Sequence, residues 1–508
     1  MTRSFRDILA VAKGGRTVGH AAARRKTWDD PVLSLSCDSR RAAEGSIFFC
    51  LVGKTVDGHT FAPSAYRNGC RVFVVQYPVD LPRDAVQFRV ADTRAALADC
   101  AAEFYGHPER EMRLVGLTGT KGKTTTALLI RSLLEDAGIP AGYIGTNGVD
   151  YRDVHHQTVN STPESLDIYR YLREMLDAGV ATCVMEISSQ ALWMERTRGL
   201  AFDTVLFTNL SRDHIGGVEH PDFRHYRTQK RKLFTSYEAR AAVVNLDDPY
   251  TPAMIKDVPT PILGFGTGEG CVFSAADIRP VRSDSGIGVE FTLIHNDIRL
   301  STPCFLPLPG AFNVQNALAA LTVVCERFGV EPRRAMDSLA RAVVPGRFEA
   351  VSHPALPDVT FVIDYAHNGV SLASILDALR AYAPARLICL FGSVGGRTKE
   401  RRAQLADAAA PRCDLCILTS DNPADEPPED IIDEIDAAFP AGACPRVRIP
   451  DRADAIRYAV EIAEAGDIIL LAGKGHENYQ LIGVRREPFS EIDILKDALD
   501  TRAPLPVP

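Results

Sequence analysis

The segment LVGLTGTKGKTTTALL, residues 114–129, narrows the possible folds of this chain more than any other. A short apolar run enters a glycine-rich turn, and a helix-forming run leaves it. Gly119 and Gly122 let the backbone curl so that its N–H groups point at an anion. The following helix aims its positive end at the same place. Lys123 is positioned to reach terminal phosphates and the Thr124 hydroxyl to help hold Mg²⁺, with Thr120, Lys121 and Thr125 completing the loop. The spacing departs from GxxxxGK[ST], because Leu117 stands five before Gly122 and the glycines fall at 116, 119 and 122. The strand–loop–helix context predicts a parallel α/β sheet whose edge binds nucleotide phosphate.

Similar alternation continues from this loop onward. Apolar runs at 182–188 (TCVMEIS), 204–210 (TVLFTNL) and 242–246 (AVVNL) alternate with helical patterns such as 125–138. A second series has strands at 360–365, 386–392, 415–420 and 467–473, separated by helices such as 371–382 and 452–466. Pro345 and Gly346 in VVPGRFE break the pattern between the two series. The first hundred residues carry SIFFCLVG, RVFVVQ and a helix over 92–105, and GHPERE reads as a linker. A chain of 508 residues exceeds one hydrophobic core. The expectation is an α/β protein of three domains, 1–106, 107–344 and 345–508. The central one is a P-loop parallel-sheet ATPase domain and the last is Rossmann-like.

A net charge of −8 gives no basic face for nucleic acid. The N-terminus MTRSFRDILAVAKGG is too polar for a signal peptide, and no apolar run approaches the roughly 20 residues that span a bilayer. A cytoplasmic protein with neither nucleic-acid nor membrane partners is expected. The 12 cysteines are scattered, and the lone CxxC of Cys413 and Cys416 lies in a buried-strand pattern, so free buried thiols are the expectation.

Further motifs follow the loop in order: NSTPES (160–165), EISSQAL (186–192), NLSRDH (209–214), KRKLF (230–234), NLDD (245–248), PGAFNVQNALAA (309–320), PGRFE (345–349), DYAHN (364–368) and GKGHENYQ (473–480). Together they resemble the Mur ligases over the whole chain, and most of all the MurE branch. There, ATP activates a carboxylate as an acyl phosphate and an amine displaces the phosphate. N-terminal SCDSRRAAEGSIFFCLVGKTVDGH resembles that branch's uridine-binding domain. The resemblance implies a monomer working on UDP-N-acetylmuramoyl-L-Ala-D-Glu and a free diamino acid, with ATP and two Mg²⁺ ions. It makes Lys123, Glu186, His214 and Lys230 catalytic, and Thr124, Glu186, His214 and Lys230 the metal donors, Lys230 as a carbamate made from CO₂. Read alone, Lys230 beside Arg231 and Lys232 is a solvated basic run. Asn316, Arg347 and Asp364 would hold the nucleoside, in a site between two domains that closes during the cycle. Ser39, Asn160, Ser161, Thr162, Ser188 and Arg196 would hold the UDP-sugar peptide, and Arg397, Asp421, Asn422, Ala424, Gly473 and Glu477 the incoming amino acid.

Departures from the pattern bear on specificity. In diaminopimelate-adding relatives a DNPR motif supplies an arginine to the second carboxylate, and here Ala424 ends TSDNPA. Asp421, Asp425, Glu426 and Glu429 crowd that segment, which predicts a substrate ending in an ammonium: L-lysine, or L-ornithine, rather than meso-diaminopimelate. Lys121, Gly369 and Thr398 also replace the residues usual at their positions, and IGGVEHPDF departs from the wording usual after DH. Rival readings are a MurF-type or folylpolyglutamate-type ligase, a non-catalytic nucleotide-binding module and an ATPase acting on protein partners.

Overall fold

The structure, a computed structural model, describes residues 3–18, 28–53, 56–213, 215–216, 219–283, 286–396 and 399–502. It divides into two compact units, Met1–Gly264 and Phe265–Pro508.

The first unit holds two sheets. The N-terminal sheet has the order β1 (Arg16–Val18), β5 (Val86–Arg89), β4 (Val72–Val75), β3 (Ser46–Phe49), β2 (Ser34–Ser36). All its pairs are parallel except β1 with β5. β3 and β4 are buried along their whole length, as expected of strands covered on both faces. The helix expected over 92–105 runs Thr93–Phe104, and the Asp92 side chain caps it by accepting from the amides of Arg94 and Ala95. The expected linker contains a short helical turn, Pro108–Arg110, with Glu109 buried and bonded to His107.

The second sheet of this unit is built on β6 (Arg113–Thr118), flanked by β10 (Thr182–Glu186) and β11 (Phe202–Phe207), with β12 (Ala239–Asn245) beyond β11 and β7 (Ala141–Gly145) beyond β10. These five strands are mutually parallel. β8 (Gly148–Tyr151) and β9 (Val154–His156) extend the β7 edge in antiparallel fashion. In this register Glu186 stands opposite Leu117 and Phe207 opposite Thr118. The ends of β10 and β11 therefore flank the turn that begins at Gly119.

The second unit contains a long antiparallel hairpin, β14 (Phe273–Ser283) with β15 (Gly286–His295), which the sequence reading did not separate from its surroundings. Its six-stranded sheet has the order β18 (Glu349–His353), β19 (Leu356–Asp364), β23 (Ile468–Ala472), β20 (Leu387–Phe391), β21 (Leu415–Leu418), β22 (Arg446–Arg448). Only β18 is antiparallel to its neighbour. The four apolar runs expected in this region are β19, β20, β21 and β23. A small hairpin, β24 (Tyr479–Ile482) and β25 (Arg485–Pro488), follows GKGHE. Among the described residues no helix is long and apolar enough to cross a membrane.

Candidate functional site

The phosphate loop of the first unit is held by the strand ends around it. Gly119 has φ +156° and approaches Thr208 so closely that a Cβ would collide with the Thr208 hydroxyl. The Thr120 amide donates to Asn209 O at 2.9 Å, the Lys121 amide to Asn209 Oδ1 at 2.9 Å, and the Thr208 hydroxyl to Lys121 O at 2.8 Å. Thr120 Oγ1 accepts from the Ser211 amide at 3.0 Å and lies 3.1 Å from the Tyr226 hydroxyl. Gly122, at φ +81°, starts the helix Lys123–Asp136, where a side chain would be strained. The loop backbone is thereby fixed with the first amides of that helix at its mouth, an anion-binding arrangement. Thr124 and Thr125 lie buried in its first turn.

Two lysines converge on one carbonyl. Lys123 Nζ donates to Gly119 O at 3.0 Å and to Thr120 O at 3.2 Å, and Lys230 Nζ donates to Gly119 O at 2.7 Å. Lys230 arrives from the helix Phe223–Thr235, is 2% exposed, and lies 4.7 Å from the Tyr226 ring centre. Burial, and then the Lys123 charge, hold its ammonium well below the usual lysine range. The basic run read in the sequence is therefore split, with Lys230 inside and Arg231 and Lys232 partly exposed. Lys121 points outward to Asp213 at 3.2 Å.

Glu186, at the end of β10, is 1% exposed. Its Oε1 accepts from Tyr143 OH at 2.6 Å and the Thr146 amide at 2.9 Å, and its Oε2 from Thr146 Oγ1 at 3.2 Å. Tyr143 and Thr146 orient this carboxylate, and no motif marked them. Among the described residues no three carboxylate, imidazole or thiol groups are placed to hold a metal ion. Mg²⁺ ordinarily keeps several waters and binds one or two carboxylates plus phosphate, and Glu186 with the Thr124 hydroxyl fits that donor set. His214 and Arg397 lie outside the described residues.

The residues expected to hold a UDP-sugar peptide fall into two groups. Asn160 is exposed and Ser161 and Ser39 are half-buried. Thr162, Ser188 and Arg196 instead form an internal frame. The Thr162 hydroxyl donates to Glu186 O at 2.8 Å and accepts from the Ser188 amide at 3.0 Å. Ser188 Oγ caps the helix Ser189–Trp193. Arg196 donates to Thr162 O at 3.1 Å and to Glu164 Oε1 at 3.0 Å, while Arg94 of the N-terminal sheet's helix reaches Glu164 Oε2 at 2.9 Å. Beside this frame runs a buried polar chain that no motif announced: Ser189 Oγ to His220 Nε2 at 2.8 Å, His220 Nδ1 to His225 Nδ1 at 2.8 Å, and His225 Nε2 to Gln229 at 3.1 Å.

In the second unit Asp364 ends β19 and is buried. Its carboxylate accepts from the Phe348 amide at 2.9 Å and the Ala366 amide at 2.7 Å, and burial raises its pKa. Arg347 stacks over the Tyr365 ring at 4.8 Å. Asn316, buried in the helix Ala311–Phe328, donates to Asn313 Oδ1 at 2.9 Å. That helix reaches the same corner through Phe312, whose ring lies 5.5 Å from Phe348. The PGRFE and GKGHE loops touch so closely that a Cβ on Gly346 would strike the His476 amide.

The third group closes on a lysine that the sequence reading did not select. Lys474 is fully buried, and its Nζ donates to Asn422 Oδ1 at 3.0 Å and Glu477 Oε2 at 3.1 Å, with Asp421 Oδ1 at 3.7 Å. Asn422 Nδ2 also donates to Glu477 Oε2 at 2.8 Å. Asp421, Asn422, Gly473 and Glu477 are thus brought together around an ammonium of the chain's own, bonded to Glu477 and facing Asp421. Gly473, at φ +117°, leaves only 3.1 Å between a Cβ and Asp421 Oδ2. Ala424, at φ +51°, is tied by backbone bonds from its amide to Leu481 O at 3.0 Å and from the Gly483 amide to its own carbonyl at 2.8 Å. Glu426 pairs with Arg402.

Three family profiles match this chain: "Mur ligase family, catalytic domain" over residues 32–105, "Mur ligase middle domain" over 117–324, and "Mur ligase, glutamate ligase domain" over 346–475. Each falls inside one of the three expected spans. The chain is 34% identical over 477 residues to the UDP-N-acetylmuramoyl-L-alanyl-D-glutamate–2,6-diaminopimelate ligase of Clostridium perfringens, covering 93% of this chain and 96% of that one. It is 37% identical over 479 residues to the enzyme of the same name from Geobacillus thermodenitrificans, covering 93% and 95%. A solved structure of a ligase so named superposes with a TM-score of 0.67 at 28% identity, covering 98% of this chain and 99% of that one.

Proposed function

This chain belongs to the Mur ligase family, with its three-domain α/β fold and ATP-dependent amide-bond formation, and from that premise we propose that it adds a diamino acid to the D-Glu carboxylate of UDP-N-acetylmuramoyl-L-Ala-D-Glu, forming ADP and phosphate in the cytoplasm during peptidoglycan synthesis. The observation that carries this reading is the convergence of Lys123 and Lys230 on the Gly119 carbonyl beside the buried carboxylate of Glu186.

The loop amides and Lys123 would take the terminal phosphates, holding charge where it develops during transfer. Glu186 and Thr124 would hold Mg²⁺, which when bound neutralises phosphate charge. Lys230 and His214 are the proposed donors to a second ion. A neutral amine is the form that adds CO₂, with loss of a proton, and the environment of Lys230 favours that form. Arg347 and Asp364, with Asn316 one turn beyond Phe312, are proposed to take the nucleoside. Ser39, Asn160, Ser161, Thr162, Ser188 and Arg196 are proposed for the UDP-sugar peptide, the last three largely by shaping the loop. Arg397 is proposed for the amino acid's α-carboxylate. We place the domain boundaries at 106/107 and 344/345 and take the working form to be a monomer.

For the amino acid, the reading we favour is diaminopimelate, taken here as the meso isomer; the names of relatives at 34% and 37% identity carry 2,6-diaminopimelate. This replaces the expectation of L-lysine. That expectation rested on the missing arginine and on an acidic surplus around Ala424, and of those acids Asp421 faces Lys474 and Glu426 pairs with Arg402. The alanine where the resemblance has arginine still favours L-lysine or L-ornithine as the second reading. The test is phosphate release with UDP-N-acetylmuramoyl-L-Ala-D-Glu, ATP and Mg²⁺, offering meso-diaminopimelate, L-lysine and L-ornithine in turn. Turnover with diaminopimelate alone supports the favoured reading, turnover with lysine or ornithine alone replaces it, and turnover with none removes the ligase assignment.

A further inference from the structure

Four of the 12 cysteines meet in the second unit, and none of them has a role in the reaction proposed above. In the sequence only Cys413 and Cys416 stand together. The fold adds Cys389 and Cys444. Cys389 in β20 and Cys416 in β21 are partners in the parallel register, so their side chains leave the same face of the sheet. Cys413, on the turn into β21, lies close enough to the thiols of both to perturb them. Cys444 lies just before β22, where the Cys416 amide donates to Pro445 O at 3.0 Å, and its Sγ is 3.6 Å from Cys416 Sγ.

The four thiols differ in access. Cys389 and Cys416 are fully buried and Cys413 nearly so, while Cys444 is half-buried and open to small solutes. They also differ in reactivity. Contacts with Cys389 and Cys416 draw the buried Cys413 thiol down to about 5, and the Cys416 contact and the nearby Arg446 draw the more accessible Cys444 thiol below its ordinary value. A metal reading is not favoured, because among the described residues no three such groups are placed around one point.

We propose that Cys444 and Cys416 form a reversible oxidative modification site, converted to a disulfide by a hydroperoxide. Cys444, as thiolate, attacks a peroxide oxygen. The O–O bond breaks, and water or an alcohol leaves once protonated. The Cys416 thiol then attacks the resulting sulfenic sulfur, and its proton leaves with the sulfenic hydroxyl as water. Two thiols are oxidised by two electrons, and the peroxide is reduced by the same two. The sulfurs must close from 3.6 Å to a bond of about 2.05 Å, a motion on the scale of side-chain rotation. Cys413 is shielded from the oxidant, so Cys444 rather than the CxxC pair is the point of entry.

The test treats the reduced full-length protein with hydrogen peroxide, alkylates it after denaturation, and maps peptides by tandem mass spectrometry. Because no Lys or Arg lies between Cys413 and Arg446, trypsin must be followed by cleavage at Glu. The expected result is loss of label from Cys444 and Cys416 together, a linkage between their peptides, and full recovery of label after dithiothreitol. Cys444→Ser should leave Cys416 labelled, and Cys416→Ala should leave Cys444 as a sulfenic acid trapped by dimedone. Cys444→Ser alters a half-buried side chain, so it keeps the test usable if Cys416→Ala folds poorly. Undiminished labelling of Cys444, a Cys413–Cys416 linkage in its place, or over-oxidised Cys444 beside free Cys416 would each overturn the proposal.

Discussion

The phosphate loop and the GKGHE corner both bury a lysine, and they do opposite things with it. In the loop, Lys123 donates to the Gly119 and Thr120 carbonyls, which are neutral dipoles, and Lys230, which donates to the same Gly119 carbonyl, is held toward its neutral form. In the corner, Lys474 meets the carboxylates of Glu477 and Asp421 and the amide of Asn422, so the charge is answered within the protein. A buried cation bound to dipoles can serve a ligand, whereas one bound to carboxylates holds the fold. Mutations that separate activity from stability can break this contrast.

The largest effect should come from Lys123→Ala. Loss of one electrostatic donor to a developing charge typically lowers turnover by about 10²–10³-fold, and the melting temperature should barely move. Phosphate release and calorimetry on the same sample measure both. A folding defect as large as the kinetic one would place Lys123 with Lys474 and erase the distinction.

Lys474→Met should show the reverse balance. It leaves the buried Asp421 and the partly buried Glu477 without their cation, a kind of change that costs roughly 3–5 kcal/mol. Denaturant midpoints should register this whether or not substrate is present. A variant of unchanged stability and altered amino-acid preference would turn Lys474 from a structural cation into a substrate contact.

Lys230 tests the loop through pH. Its ammonium is held below the ordinary lysine value by burial, so the folded state gives up a proton that the unfolded state keeps. Below the lowered folded value both states are charged and the burial penalty is fully present. As pH rises from there toward the ordinary lysine value of 10.5, the unfolded state binds more protons and stability rises. Lys230→Met removes this dependence. Its stability advantage over the parent should be largest at low pH and shrink as pH rises, read from melting curves in matched buffers. A flat difference across that range would mean that Lys230 is not driven toward its neutral form.

What the sequence disclosed follows the same divide between local and assembled features. The strand–loop–helix around Gly119 and the parallel runs of both series are set by residues a few positions apart, so periodicity and turn chemistry reveal them. The partners of Glu186 were not legible, since Tyr143 and Thr146 are ordinary residues until the sheet brings them to its oxygens at 2.6 and 2.9 Å. Lys474 stood inside a motif that drew attention to Gly473 and Glu477, yet its burial against Asp421, 53 positions back, is a tertiary fact. The same holds for Cys444 against Cys416, and for Lys230, which is buried while Arg231 and Lys232 beside it are partly exposed.

The smallest effect is the sharpest test of the corner, because it concerns a residue whose side chain is a single methyl. Ala424 sits at φ +51°, where an L residue with a Cβ is disfavoured by roughly 1–2 kcal/mol and glycine is not. The backbone bonds to Leu481 O and from the Gly483 amide hold it there. Ala424→Gly relieves that strain while giving the unfolded chain more freedom, so a net gain of about 0.5 kcal/mol is expected, seen as a small rise in melting temperature. If the loop only braces the β24–β25 hairpin, relative turnover with diaminopimelate, lysine and ornithine should stay as it was. A change in that ranking from the loss of one methyl would mean that position 424 itself shapes the amino-acid pocket. The contrast with the phosphate loop would then narrow to Lys474, whose charge remains answered by its own carboxylates.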